Sequence, residues 1–243
     1  MKEQLYTIPV NDAFSADCEC PICKMFNDIQ DSTIDFVMGD SYMQDDVRAE
    51  TDEVGFCDRH IRMLYKNQNR LGLGLMLLTY MNKSIKDVEK KMDQKITAPS
   101  FFKKSTSSDS AVGSYCESIV NSCYVCKKME NLRDSYLKTV FYLYEKDNAF
   151  KAKFSGSKGF CTKHYGILFD EAPKRLNSKL LPEFIKTLNT VYIENFKRVR
   201  DDLDWFTLKF DYRNADAPWK NSKDALIRAI QKTESVIVEE KKK

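Results

Sequence analysis

Apolar positions recur along this chain at the three- and four-residue spacing of helices, and strand alternation of useful length appears nowhere, so an all-α fold is expected. After Cys23 the apolar positions are Phe26, Ile29 and Val37; after Cys126 they are Met129, Leu132, Tyr136, Val140 and Leu143. A helix is therefore predicted to follow each of these cysteines. A longer stripe takes in Ile61, Leu64, Leu71, Leu75, Leu78, Met81, Ile85, Val88 and Met92. Gly72 and Gly74 fall inside it and predict a bend or a close helix contact. Further on, Pro173 and Pro182 divide the pattern into a short helix from about Thr162 and a long one from about Pro182. The long helix would carry Phe184, Leu188, Val191, Phe196, Val199, Leu203, Phe206 and Phe210. A last amphipathic segment, Ser222 through about Val238, uses Leu226, Ile230 and Ile237 and ends in the charged run 239–243, where fraying is expected.

The pattern occurs twice. A shift of 103 positions superimposes Cys20, Cys23, Lys24, Asp31, Ser32 and Val37 on Cys123, Cys126, Lys127, Asp134, Ser135 and Val140. A shift of 104 superimposes Gly55, Phe56, Cys57 and His60 on Gly159, Phe160, Cys161 and His164. Between the copies, residues 96–113 hold five serines, two threonines, Pro99 and Gly113 without periodicity, which reads as a linker. The expected organisation is thus a first helical repeat over 1–95, a serine-rich linker over 96–113, and a second repeat with a C-terminal helical extension over 114–243.

Each copy contains Cys-x2-Cys, then 33 or 34 intervening residues, then Cys-x2-His. Three thiolates and one imidazole form a closed tetrahedral donor set for Zn²⁺, giving two sites from Cys20, Cys23, Cys57, His60, Cys123, Cys126, Cys161 and His164. The chain has only two histidines, and both stand three residues after a cysteine. On a helix that spacing puts both side chains on one face, and the preceding glycine allows a sharp turn into the helix. Partial positive charge at the helix N-terminus favours the thiolate. The 33 or 34 residues between half-sites suffice for a helix out and a shorter return, around Tyr42 to Glu53 and Ala149 to Phe154. Pairing within each repeat is the simplest reading. A crossed arrangement, in which Cys20 and Cys23 meet Cys161 and His164, uses the same ligand types, and spacing does not separate the two.

Other chemistries fit less well. Cys20-Pro-Ile-Cys23 looks like a glutaredoxin-type motif but lacks the βαβ setting, and its duplicate has Tyr124 in place of Pro21. That difference also hints that the two sites are not equivalent. Cys57 beside His60, or Cys161 beside His164, could make a nucleophile and base, but the duplicated spacing beside Cys-x2-Cys is better explained by metal, and with both histidines so committed no other remains as general base. Cys18 and Cys116 do not align under the repeat; as spare thiols they keep an iron–sulfur alternative open.

The 42% apolar fraction is adequate for a packed core, and 31% charged residues is above the ~25% of ordinary globular proteins. No apolar run approaches the ~20 residues of a membrane helix, and the segment after Met1 lacks the apolar core of a signal peptide, so a soluble, cytoplasmic protein is expected. Without export, paired cysteines read as metal ligands rather than disulfides. The formal net charge of +3 would fall to about +1 once two zinc ions and six thiolates are counted, which gives no reason to expect nucleic acid. The basic run 197–200 meets Asp201, Asp202 and Asp204 at once and reads as a solvated helix face.

The segment Trp205 to Asn214, followed by Ala217 to Leu226, contains both tryptophans and many paired charges. Together with the two Gly-Phe-Cys-x2-His halves it resembles an uncharacterised family of bacterial proteins, mostly from Firmicutes, sometimes labelled ABC-transporter substrate-binding proteins. The resemblance implies a bacterial cytosolic origin and brings no established activity. In this segment Lys209, Asp211, Arg213 and Asp224 could pair around Tyr212 and Trp219 to dock the last helix, or Lys209, Arg213 and Trp219 could line a groove for an anionic ligand or peptide. The expected function is that of a zinc-binding scaffold presenting a helical surface to a protein partner, with no catalytic residue assigned. The alternative is a metal-dependent or thiol-redox enzyme using one of the Cys/His sites.

Overall fold

The computed structural model describes residues 5–93 and 110–238. Among them there are eleven α-helices, two short 3₁₀ turns and no strand, so the fold is all-α. In chain order the helices are α1 (Thr7–Ser15), α2 (Pro21–Met38), α3 (Asp45–Val54), α4 (Asp58–Lys66), α5 (Arg70–Met92), α6 (Ala111–Val120), α7 (Tyr124–Lys146), α8 (Asn148–Gly156), α9 (Thr162–Arg175), α10 (Leu181–Leu208) and α11 (Ala225–Glu234). Each Cys-x2-Cys does introduce a long helix, α2 or α7. The shorter return helices α3 and α8 fall close to their expected positions.

The long apolar stripe after His60 is not one helix. The chain breaks at 67–69, where Gln68 has a φ of 74° and the Asn69 side chain caps α5 by accepting from the Gly72 N–H at 2.9 Å. Asn69 also donates from Nδ2 to the Met38 carbonyl at 2.8 Å, so one residue starts α5 and ties it to the end of α2. Gly72 marks a close contact: a Cβ there would lie 2.9 Å from the Tyr42 ring, whereas nothing approaches Gly74. Pro173 does not end α9, which continues to Arg175 because a proline in the last turn costs only one helical hydrogen bond. Phe210 lies beyond the end of α10 and is exposed. The last helix is shorter than the 222–238 expected, ending where Ser235 turns left-handed. The linker expected over 96–113 falls largely outside the described residues, as does the tail 239–243. Its final part is already helical, since the Ser110 hydroxyl accepts from the Gly113 N–H and opens α6.

Two compact units emerge, one of Met1–Asp28 with Arg133–Lys243, the other of Ile29–Leu132. Their boundaries lie inside α2 and α7 rather than in the serine-rich segment. The first unit has an aromatic core in which Phe154 touches Phe14, Tyr144, Phe160 and Phe184 at ring-centre distances of 5.1–5.7 Å. In it α10 and α9 pack with α11, so the C-terminal helices do pack on a helical bundle. The second unit is built on α3 against α5. There the Arg48 guanidinium donates to the Leu75 carbonyl at 3.1 Å and to Thr79 at 2.9 Å, and the Thr79 hydroxyl donates to Asp52 at 2.6 Å. No described helix is long and apolar enough to cross a membrane.

Candidate metal centres

The eight predicted ligands gather into two groups of four. Cys20 and Cys23 meet Cys161 and His164, and Cys57 and His60 meet Cys123 and Cys126; within each group all four donor atoms lie within 4.8 Å of one another. The pairing is the crossed one, and the expectation that each repeat closes its own site is corrected.

The two half-motifs have repeated local geometry. Gly55 has φ 58° and ψ −148°, a region essentially restricted to glycine, and Gly159 has φ 83°. A Cβ on Gly55 would come within 2.8 Å of Tyr80, and one on Gly159 within 3.0 Å of the Val191 carbonyl. Each turn delivers an extended cysteine at the start of a helix, with Cys57 at φ −72°, ψ 165° and Cys161 at φ −75°, ψ 162°. The histidine three residues later then faces the same point. The Tyr124 N–H donates to the Gly55 carbonyl at 3.0 Å, a bond that Pro21 at the equivalent place cannot make. The departure between the copies is therefore a difference in how each Cys-x2-Cys turn is held.

In the first centre, His164 Nδ1 lies 3.1 Å from the Cys161 Sγ, 3.2 Å from that of Cys23 and 3.5 Å from that of Cys20. The Cys20 and Cys23 sulfurs are 3.8 and 3.6 Å from Cys161. In the second, His60 Nδ1 lies 3.3–3.4 Å from the three sulfurs, and the Cys57 and Cys126 sulfurs are 3.9 Å apart. A tetrahedral zinc with ~2.3 Å bonds to sulfur and ~2.05 Å to nitrogen has S···S edges of ~3.8 Å and S···N edges of ~3.5 Å. The donor sets fit such an ion. They do not fit disulfides, whose sulfurs sit ~2.05 Å apart, and all eight cysteines are unpaired.

The centres differ in exposure. All four residues of the first are buried, whereas in the second His60 and Cys123 are buried, Cys57 is half-buried and Cys126 is exposed. Electrostatics follow. Burial, then the neighbouring Cys161 and Cys23 thiols, push the Cys20 thiol well above its usual range. The Cys161 contact pushes Cys23 up to about 12. Cys161 moves strongly the other way, because Cys20 and Cys23 donate S–H bonds to it and His164 supports its charge. One thiolate among thiols is the state that four metal-free donors adopt here. At the second centre burial and the Cys123 and Cys57 charges push Cys126 up to about 12. Burial also acts to raise Cys57, but the N–H groups of His60 and Arg59 with the Cys123 and Cys126 thiols outweigh it and lower it.

Some supporting residues were not singled out from sequence. Gln30 Oε1 lies 3.3 Å from His60 Nε2, which fixes the tautomer that leaves Nδ1 for the metal. Phe26 meets the His164 ring edge-on, and Gln231 on α11 acts to lower the Cys23 pKa. Lone glutamines in amphipathic helices carry no signal of such a role. Cys18 and Cys116 belong to neither centre. The C-terminal residues mostly pair locally: Lys209 Nζ donates to the carbonyls of Asn214, Ala215 and Ala217 at 2.5–2.8 Å and lies over the Trp219 ring, while Arg213 pairs with Asp211 and Asp224 with Arg228.

Fold and centres together define an all-helical protein with two Cys₃His clusters, each able to hold a metal ion. The sequence model of a family of unknown function, DUF6062, matches residues 1–240, and the chain belongs to that family. No curated protein and no solved structure matches it.

Proposed function

We propose that the protein binds two structural zinc ions, one at Cys20, Cys23, Cys161 and His164 and one at Cys57, His60, Cys123 and Cys126, and that the metal-stapled helices serve as a scaffold for a protein partner. The observation that carries the metal reading is the convergence of four N and S donors at tetrahedral edge lengths in both groups. Four protein ligands leave no open coordination position, which is the mark of a structural rather than a catalytic zinc. Unpaired thiols in number suit a reducing compartment such as the cytoplasm. Native mass spectrometry and a visible spectrum of anaerobically purified protein test the metal: two zinc ions and no colour are expected, and iron absorption would overturn the reading. Paired variants test the assignment of ligands. Cys20→Ser with Cys161→Ser should lose one ion, and Cys20→Ser with Cys57→Ser should lose both; the reverse result would mean pairing within each repeat.

The partner reading rests on α5, where Leu71, Leu78, Ile85 and Met92 recur every seventh residue and are 54–69% exposed, with Met81 between them. A heptad stripe of this kind fits the apolar seam of another helix. A photo-crosslinker at position 78 should capture one discrete protein in cells, and labelling that survives Ile85→Lys unchanged would count against this surface.

A second reading, metal-dependent or thiol-redox chemistry at the second centre, is favoured by the exposure of Cys126. Alkylation of native protein separates the two: a scaffold protects Cys126 until unfolding, while a reactive centre is modified at once and releases its metal.

A further inference from the structure

A cavity of about 670 Å³ opens in the first unit among the end of α8, the middle of α10 and the loop that leads into α11. Its size is that of a small-molecule site, typically about 300–1,000 Å³, but its lining is unlike that of most such sites. Among the described residues no aliphatic or aromatic side chain faces it; five basic residues and three acidic ones do. The charges are unequally committed. Arg228 spends its guanidinium on Asp202, Asp224 and the Asn221 carbonyl. Arg198 donates to Glu19 Oε2 at 2.6 Å and to Asn195 at 3.0 Å. Three lysines remain around these pairs: Lys158 beside Asp17, Lys220 over the Trp205 ring, and Lys223, for which the described residues show no acidic partner. The lining therefore carries a surplus of two positive charges, and the positive end of α11 begins at its wall.

The inner wall has the opposite need. Glu19 is 5% exposed and lines the cavity; its Oε2 is held by Arg198 and by Lys232, but among the described residues its Oε1 has no hydrogen-bond partner. Buried carboxylate oxygens are ordinarily satisfied. A ligand that completes the site would thus bring a dianion to the lysines and a hydroxyl or amino donor to Glu19.

We infer that this cavity binds a small phosphorylated molecule bearing a free hydroxyl or amino group. Phosphate supplies the two negative charges that the lining lacks, and the donor satisfies Glu19 Oε1. The inference is independent of which metal the Cys/His centres hold.

Isothermal titration calorimetry on the protein as purified, with its metal in place and at fixed ionic strength, tests it with glycerol 3-phosphate, methyl phosphate and sulfate as probes. Glycerol 3-phosphate should bind saturably with 1:1 stoichiometry, methyl phosphate at least about tenfold more weakly for want of the donor, and sulfate without saturation. Lys220→Glu with Lys223→Glu, both at exposed positions, should weaken glycerol 3-phosphate at least about tenfold while metal content and melting temperature stay unchanged. Absence of saturable binding, equal affinity for methyl phosphate, or binding that survives the double substitution would each overturn the inference. Metal content measured on the same samples keeps this result separate from the zinc reading.

Discussion

A thiol buried beside other thiols keeps its proton unless a cation replaces it, and the first centre is arranged so that this exchange can be counted. Cys161 alone is held as thiolate, with the Cys20 and Cys23 protons pointing at it. A metal ion must therefore displace about two protons from this centre at neutral pH, since both thiols have pKa values raised well above 7. The sign follows: affinity rises with pH at every value below the raised thiol pKa, which for Cys23 is about 12, and falls as acid restores the S–H bonds. In a Cys57→Ser variant, which retains only the first centre, the logarithm of the zinc association constant should climb by about two per pH unit between pH 6 and 8. Calorimetry in buffers of different ionisation enthalpy checks it, and a slope near zero would mean that the thiols are already ionised. The residues that gather into the two clusters were legible from sequence, because cysteine and histidine at fixed spacing admit few other uses. The shape of each knuckle was partly so: a glycine before Phe-Cys announced a turn, but its extreme backbone angles and the Tyr80 ring against Gly55 are tertiary facts.

At the scale of elements, periodicity placed the long helices and missed the breaks that single side chains impose. Nothing in the stripe from Ile61 to Met92 signals that one helix ends at Lys66 and Asn69 starts another, because the apolar period continues in phase across the gap. The C-terminal segment was legible as a helix but its anchor was not. Lys232, which is not part of the apolar stripe Leu226, Ile230 and Ile237, is 1% exposed and inserts its ammonium between the carbonyls of Glu19, at 2.6 Å, and Lys158, at 2.5 Å. It thereby joins α11 to the residue before Cys20 and to the turn before Gly159, the two approaches to the first centre. Burial lowers its pKa while Glu19 acts to raise it, so the charge is retained chiefly through this partner. Lys232→Met keeps the aliphatic stem and deletes the donor, leaving two buried carbonyls and the Glu19 carboxylate short of a partner. A loss of ~2–4 kcal/mol is expected, read as a lower urea midpoint with metal stoichiometry retained. A midpoint within error of wild type would show that water replaces the ammonium at no cost.

For the whole molecule, the decisive information lies in a relation that no local pattern contains. Both centres draw one half from each copy of the motif, joining positions 138–144 residues apart in the first and 63–69 apart in the second. Spacing within a copy could not reveal this, because it constrains which residues converge but not which half-sites meet. One consequence is open to direct test. Every ligand before residue 94 belongs to a half-site, Cys20 with Cys23 or Cys57 with His60, whose other half lies after residue 109. A protease site introduced between 94 and 109 would cut the chain into fragments that share both metal ions. Structural zinc contributes ~10–16 kcal/mol of apparent binding free energy per site, so the cut protein should still migrate as one species of full mass in native size-exclusion chromatography. Excess chelator should then separate it into two fragments, each less helical by circular dichroism than its share of the intact chain. Separation with metal still bound would mean that each half closes its own site after all. Persistence after complete metal removal would mean that the apolar cores alone hold the halves together and that the metal centres contribute little to the fold.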